Sequence, residues 1–102
     1  MGSRRGIVPV VDGNEYAIVD LAPGDAVVCA DPCILISLYT NTALSAHDVN
    51  IKNGASTVHV IKGSLAHGTH IDFDSVEFAG GITVAPNASA TGTIVVVYYR
   101  LN

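Results

Sequence analysis

The side chains that could do chemistry in this 102-residue sequence fall into three groups. His67-Gly68-Thr69-His70 sets two imidazoles three residues apart, with His59 upstream and Asp72 and Asp74 downstream. A zinc site needs three or four convergent ligands in fixed geometry, and a glycine-containing turn ahead of a strand can bring two of them together. The spacing matches no particular ligand framework, however, and histidines in loops are mostly solvated, so no metal is expected. Asp72 and Asp74 fall at strand spacing on one face. Paired carboxylates do acid–base work only where a cleft holds their pKa values apart, and nothing around Asp72-Phe73-Asp74-Ser75 indicates a cleft. Acids flanking a strand end act instead against edge-to-edge pairing. The third group is Cys29-Ala30-Asp31-Pro32-Cys33, whose proline favours a turn that can bring two thiols within disulfide reach. With no secretory signal expected and no second thiol pair, the reading is reduced, half-buried thiols; a dithiol redox centre is expected as CxxC opening a helix, and neither condition holds.

No nucleophile elbow, phosphate loop, dinucleotide fingerprint or HExxH is present. Gly80-Gly81 lacks the helix and lysine of a phosphate loop and reads as a hairpin turn. The chain is therefore expected to be non-enzymatic, with no cofactor.

Strands must carry these residues. Segments rich in Val, Ile and Tyr recur at roughly ten-residue intervals, the signature of a sandwich or barrel. They read as strands at 7–11, 16–21, 26–29, 34–40, 47–52, 57–61, 70–73, 76–78, 82–84 and 93–100, some of them short edge pieces. Asp12-Gly13, Pro23-Gly24-Asp25, Asn53-Gly54, Gly80-Gly81 and Pro86-Asn87 supply turn chemistry between them. Asn53-Gly54 is the strongest hairpin signal. The expectation is one all-β domain over residues 1–102, an antiparallel β-sandwich of roughly eight short strands, with residues 1–6 as a flexible arm.

Composition excludes several functions. The bases Arg4, Arg5, Lys52, Lys62 and Arg100 are too few and too scattered to neutralise a run of phosphates, and nine acids bring the net charge to −4, so no nucleic-acid partner is expected. Apolar residues make up 49% of the chain but occur in runs of only a few, far short of the ~18 consecutive residues of a membrane span. The start Met1-Gly2-Ser3-Arg4-Arg5-Gly6 has no apolar stretch behind its arginines and reads as no secretory signal.

Alternation along the strands points to a use for the apolar excess. Val49 and Ile51 face one way and Asp48, Asn50 and Lys52 the other, an ordinary half-exposed ribbon. Residues 34–39 set Ile34, Ile36 and Leu38 on one face, yet Leu35 and Tyr39 still populate the other. The last strand has Ile94, Val96 and Tyr98 on one face and Val95, Val97 and Tyr99 on the opposite one, so both faces need cover. Leaving one of them wet forgoes about 25 cal/mol per Å² and invites aggregation. A subunit interface formed by Leu35, Tyr39, Val95, Val97 and Tyr99 is the expectation; the alternative is a central strand roofed by the chain's own loops.

Leu38-Tyr39-Thr40-Asn41-Thr42, the strand at 48–52 ending in Asn53-Gly54, Gly80-Gly81-Ile82-Thr83-Val84, and the closing Ala90-Thr91-Gly92-Thr93-Ile94-Val95-Val96-Val97-Tyr98-Tyr99 follow in an order that resembles the small decoration, or cement, proteins of tailed-bacteriophage capsids. The resemblance covers residues 34–100. It implies a jelly-roll-like sandwich, made in the host cytoplasm and incorporated in the virion, that binds the major capsid protein on the outer shell as a homotrimer. It transfers no functional residue. Its Asn-Gly hairpin and Thr-Gly-Thr turn also occur in carbohydrate-recognition modules of fibres and adhesins, which makes a ligand-binding sandwich the rival expectation, though the chain has no Trp.

Overall fold

The structure, a computed structural model, describes residues 14–101. The expected strand at 7–11 and arm at 1–6 lie outside them. Eight strands follow in order: β1 (Asn14–Asp20), β2 (Ala26–Cys29), β3 (Cys33–Thr40), β4 (Val49–Asn53), β5 (Ser56–Ile61), β6 (His70–Phe78), β7 (Ile82–Pro86) and β8 (Thr93–Arg100). They form two four-stranded sheets, ordered β1-β8-β3-β6 and β2-β7-β4-β5, with every neighbouring pair antiparallel. The chain crosses between sheets at every connection except the β4–β5 hairpin, which is jelly-roll connectivity. The described residues are all-β, as the turn spacing predicts. No helix among them is long and apolar enough to cross a membrane.

Period-two alternation builds the core. Val49 and Ile51 of β4, Ile82 and Val84 of β7, and Ile94, Val96 and Tyr98 of β8 point inward, and each is at most 4% exposed. Phe78, Leu35, Leu38, Leu21 and Ile61 close the remaining space. The hairpin forms one residue later than its sequence signal: Asn53 still pairs with Ser56, and Gly54-Ala55 makes the turn with Gly54 at φ 58°. Asn53 instead ties the turn to the β6–β7 connection, its Oδ1 accepting the Gly80 N–H at 2.7 Å.

A bulge in β3 overturns the expected facing of Ile34 and Leu35, while Leu38 and Tyr39 face as alternation expects. Leu35 pairs with Tyr98 and Ser37 with Val97, so Ile36 is an extra residue with no counterpart on β8. The insertion returns both Leu35 and Leu38 to the core, each 0% exposed, and turns Ile34 and Tyr39 outward. Leu35 is therefore removed from the expected interface. The same irregularity joins the two expected strands at 70–73 and 76–78 into β6: Ser37 opposes Asp72 and Leu35 opposes Val76, leaving Phe73, Asp74 and Ser75 across from Ile36.

Candidate functional site

The three chemically competent groups are dispersed by the fold. His59 points inward from β5, its ring edge-on to Phe73 at 5.2 Å and 90°. His67 sits on the exposed β5–β6 loop, and His70 opens β6 opposite Tyr39. Among the described residues no three His, Cys, Asp or Glu side chains come together as metal ligands would. Asp72 and Asp74 do not share a strand face: Asp74 and Ser75 have φ of 55° and 61°, and the Asp72 Oδ1 accepts the Asp74 N–H at 2.9 Å. The carboxylate here stabilises a left-handed kink in the backbone.

Cys29 and Cys33, at the facing ends of β2 and β3, are both free and buried. The Cys29 thiol donates to the Asp31 carbonyl at 3.2 Å, and the Cys33 thiol lies 4.0 Å from that of Phe78. Burial, reinforced by the adjoining Cys29 side chain, pushes the Cys33 thiol from 9.0 up to about 12, so it stays protonated and unreactive at neutral pH. Half-burial was the expectation; the turn carries both thiols fully into the core.

Loop order is supplied by Thr40, 1% exposed at the end of β3. Its Oγ1 donates to the Ala66 carbonyl at 2.5 Å and accepts the Thr69 N–H at 2.9 Å, fastening the histidine loop to the sheet. At the opposite end Tyr98 keeps its ring in the core and reaches Glu15 Oε1 at 3.4 Å, while Arg100 Nε meets Glu15 Oε2 at 3.4 Å. Burial pushes the Tyr98 phenol up, against the hydrogen bond to Arg100, which lowers it.

What remains is a surface. Across β1, β8 and β3 the register lays out outward rows of Tyr99 and Ile34; Tyr16, Val97 and Ser37; Ile18, Val95 and Tyr39; and, at the margin, Asp20 and Thr93. No residue of the two middle rows, those of Tyr16 and Ile18, carries a charge. Tyr16 is 69% exposed, Ile18 61% and Tyr39 39%; Val97 and Tyr99 are half-buried, and Val95, between Ile18 and Tyr39, is 5% exposed. The expected interface thus keeps Tyr39, Val97 and Tyr99 at the surface, whereas Val95 is already covered and the open apolar area shifts towards β1. Tyr16 and Ile18 were missed; their signal was alternation over 16–19, which puts apolar residues on both faces of that strand too. The outer face of the other sheet is mixed, presenting Asn50, Lys52, Thr57 and Thr83 beside half-buried Ala85 and exposed Val27, Val58 and Val60, with no aromatic side chain among them. Beside β1, an open cleft of about 340 Å³ runs between the two sheets towards β2, with Ile18, Val19, Pro23, Ala26 and Val27 in its wall.

Comparison of this chain with protein-family models, with curated proteins and with solved structures finds no match.

Proposed function

We propose that this chain is a non-enzymatic structural protein that associates with copies of itself, as a homotrimer, and decorates the outer capsid shell of a virion, with the major capsid protein as its second partner. The observation that carries the reading is the tyrosine-bearing outer face of β1, β8 and β3, which is uncharged across its middle rows and exposes Tyr16, Ile18 and Tyr39 together. A monomer gains nothing by exposing Tyr16, Ile18 and Tyr39 together, whereas an interface gains apolar burial and rigid aromatic anchors. A compact sandwich of low charge suits a shell component, because repeated weak contacts add on a symmetric lattice.

Two measurements test it. Light scattering at micromolar concentration should give a trimer for the natural chain and a monomer for Val97→Asp and for Tyr39→Asp, which probes the same face from a more exposed position. A natural chain that is strictly monomeric, or variants of unchanged mass, would remove the face from the reading. Pelleting with undecorated phage shells should then recover the chain with the shells and raise their melting temperature; a chain left in the supernatant refutes the shell partner.

The exposed rings of Tyr16 and Tyr39 favour one second reading, a carbohydrate-recognition module. They lie two strands and two residues apart, about 12 Å, on one face, as stacking platforms for a glycan would. A glycan array without binding above background disposes of it.

A further inference from the structure

Among the described residues the two sheets have four edge strands, and three of them are interrupted. In β6 the left-handed residues Asp74 and Ser75 break the edge, and Asp72, Asp74 and Glu77 charge it. In β2 the strand is four residues long with a register shift between Val27 and Cys29. In β5 a shift opposite Ile51 and Lys52 leaves Val58 unpaired in the ladder. Such devices keep strand edges from adding further strands. Among the described residues only β1 runs unbroken along its edge, with its two acids, Glu15 and Asp20, towards its ends. Its seven residues pair with β8 without a shift, and the strand contains no Pro, Gly or Lys. It also carries the two most exposed large apolar side chains of its sheet, Tyr16 and Ile18.

We propose that β1 is a strand-addition edge whose occupant is β1 of a second copy, antiparallel and two-fold about Ala17. The sequence of the strand is self-complementary in that register. Tyr16 of each copy falls opposite Ile18 of the other, an aromatic on a β-branched residue, which is among the favourable cross-strand pairs. Glu15 falls opposite Val19, Ala17 opposite its own equivalent, and no acid opposes an acid. The inward-facing Ala17 leaves room at the axis where a larger residue would meet its own copy. Pairing about a residue also suits either hydrogen-bonding phase of the edge, since opposed residues always have the same parity, and gives about six to eight main-chain bonds.

The contact is separate from the trimer proposed above and would join one trimer to the next. A seven-residue strand pair buries less than the roughly 1,200 Å² of a stable free complex, so it is weak in dilute solution and gains strength only where copies are already held side by side.

Cysteine cross-linking tests the register directly. Cross-strand Cβ atoms in such a pair lie about 4.5–5.5 Å apart, near disulfide distance, and the natural thiols are buried. Ala17→Cys, at about 100 μM under mild oxidation by oxygen, should yield a covalent dimer on a non-reducing gel. Tyr16→Cys should yield at least about tenfold less, because it faces Ile18 and not itself. Adding Ile18→Lys, the residue type that protects natural edges, should suppress the Ala17→Cys dimer about tenfold; Tyr16→Lys serves if that variant does not fold. Adding Val97→Asp should leave the dimer intact while removing the trimer, so the two contacts fail separately. A cysteine at position 17 that stays monomeric overturns the proposal, whether residues 1–13 of the same chain or a shell protein covers the edge. Equal cross-linking at 16 and 17, or a dimer indifferent to Ile18→Lys, overturns it as well.

Discussion

Replacing Thr40 by valine keeps the shape of a fully buried side chain and deletes only its hydroxyl. That hydroxyl makes two hydrogen bonds, to the Ala66 carbonyl at 2.5 Å and from the Thr69 N–H at 2.9 Å. Neither partner is orphaned by the loss: the Thr69 N–H keeps the Ala66 carbonyl at 3.2 Å, and that carbonyl also accepts the Thr69 Oγ1 at 2.7 Å. The cost is therefore two neutral hydrogen bonds, each about 0.5–1.5 kcal/mol net, rather than the larger penalty of stranded polar groups, and comes to about 2 kcal/mol. For a domain of this size the melting temperature should fall by roughly 8–16 °C. Urea titration followed by circular dichroism should show a lower midpoint at unchanged slope, since the same surface is exposed on unfolding. Amide exchange should quicken at Thr69 and at Gly68, whose N–H donates to the Thr40 carbonyl at 2.9 Å, before it quickens in the β4–β5 hairpin. Thr40→Ser keeps the hydroxyl and loses one methyl group, about 0.8 kcal/mol, and should sit between valine and the natural residue. A valine variant within 0.5 kcal/mol of the natural chain would refute the role assigned to Thr40.

Three more outcomes follow from the same geometry. Leu35→Ala should cost about 2–5 kcal/mol in urea titration and leave the oligomer mass of the folded fraction unchanged, because Leu35 is a 0%-exposed core residue; a lower mass without loss of stability would return it to the interface. Gly81→Ala should cost about 3 kcal/mol or more, since the added Cβ would stand 2.3 Å from the Cys29 carbonyl oxygen at a φ of +88°, and a stable, soluble variant would show that the β6–β7 turn can shift aside. Stability should be flat with pH near neutrality and fall as pH rises from about 9 towards 12: the unfolded chain releases the Cys33 proton near 9.0 while the folded chain holds it to about 12. The raised Tyr98 phenol acts in the same direction at the alkaline end. Cys33→Ala should flatten the profile between pH 9 and 10, and an unflattened one would place the titration elsewhere.

Much of the architecture was legible because local chemistry and global fold agree. The β2 and β8 boundaries follow from their Val-rich runs, and the turns at Pro23-Gly24 and Gly80-Gly81 lie where glycine and proline make reversal cheap. The two-faced apolarity of β8 marked an outer face in need of cover, and the fold covers Val95 between Ile18 and Tyr39 while leaving Val97 and Tyr99 half-buried. Facing along β3 was legible at Leu38 and Tyr39 but not at Ile34 and Leu35, because alternation assumes one residue per step and the extra residue, Ile36, exists only relative to β8. The same bulge hid Leu35 in the core and bent β6 at Asp74. The histidines and acids drew attention as a group through closeness in sequence, but β5 and β6 lie in different sheets, so His59 faces the core while His70 and Asp72 face outward.

By itself, then, the sequence determined the fold class, most of the strands and the presence of more apolar surface than one core can absorb. Those are local or additive properties, set by residue type, period and turn chemistry. Only the tertiary structure decided where the excess lies. Among the described strands, β1 stands at the sheet edge, leaving Tyr16 and Ile18 open, and β8 in the middle, where Val95 is covered between Ile18 and Tyr39. Which strand becomes an edge depends on pairings between residues about eighty positions apart, as Tyr16 with Val97, and no window along the chain contains them.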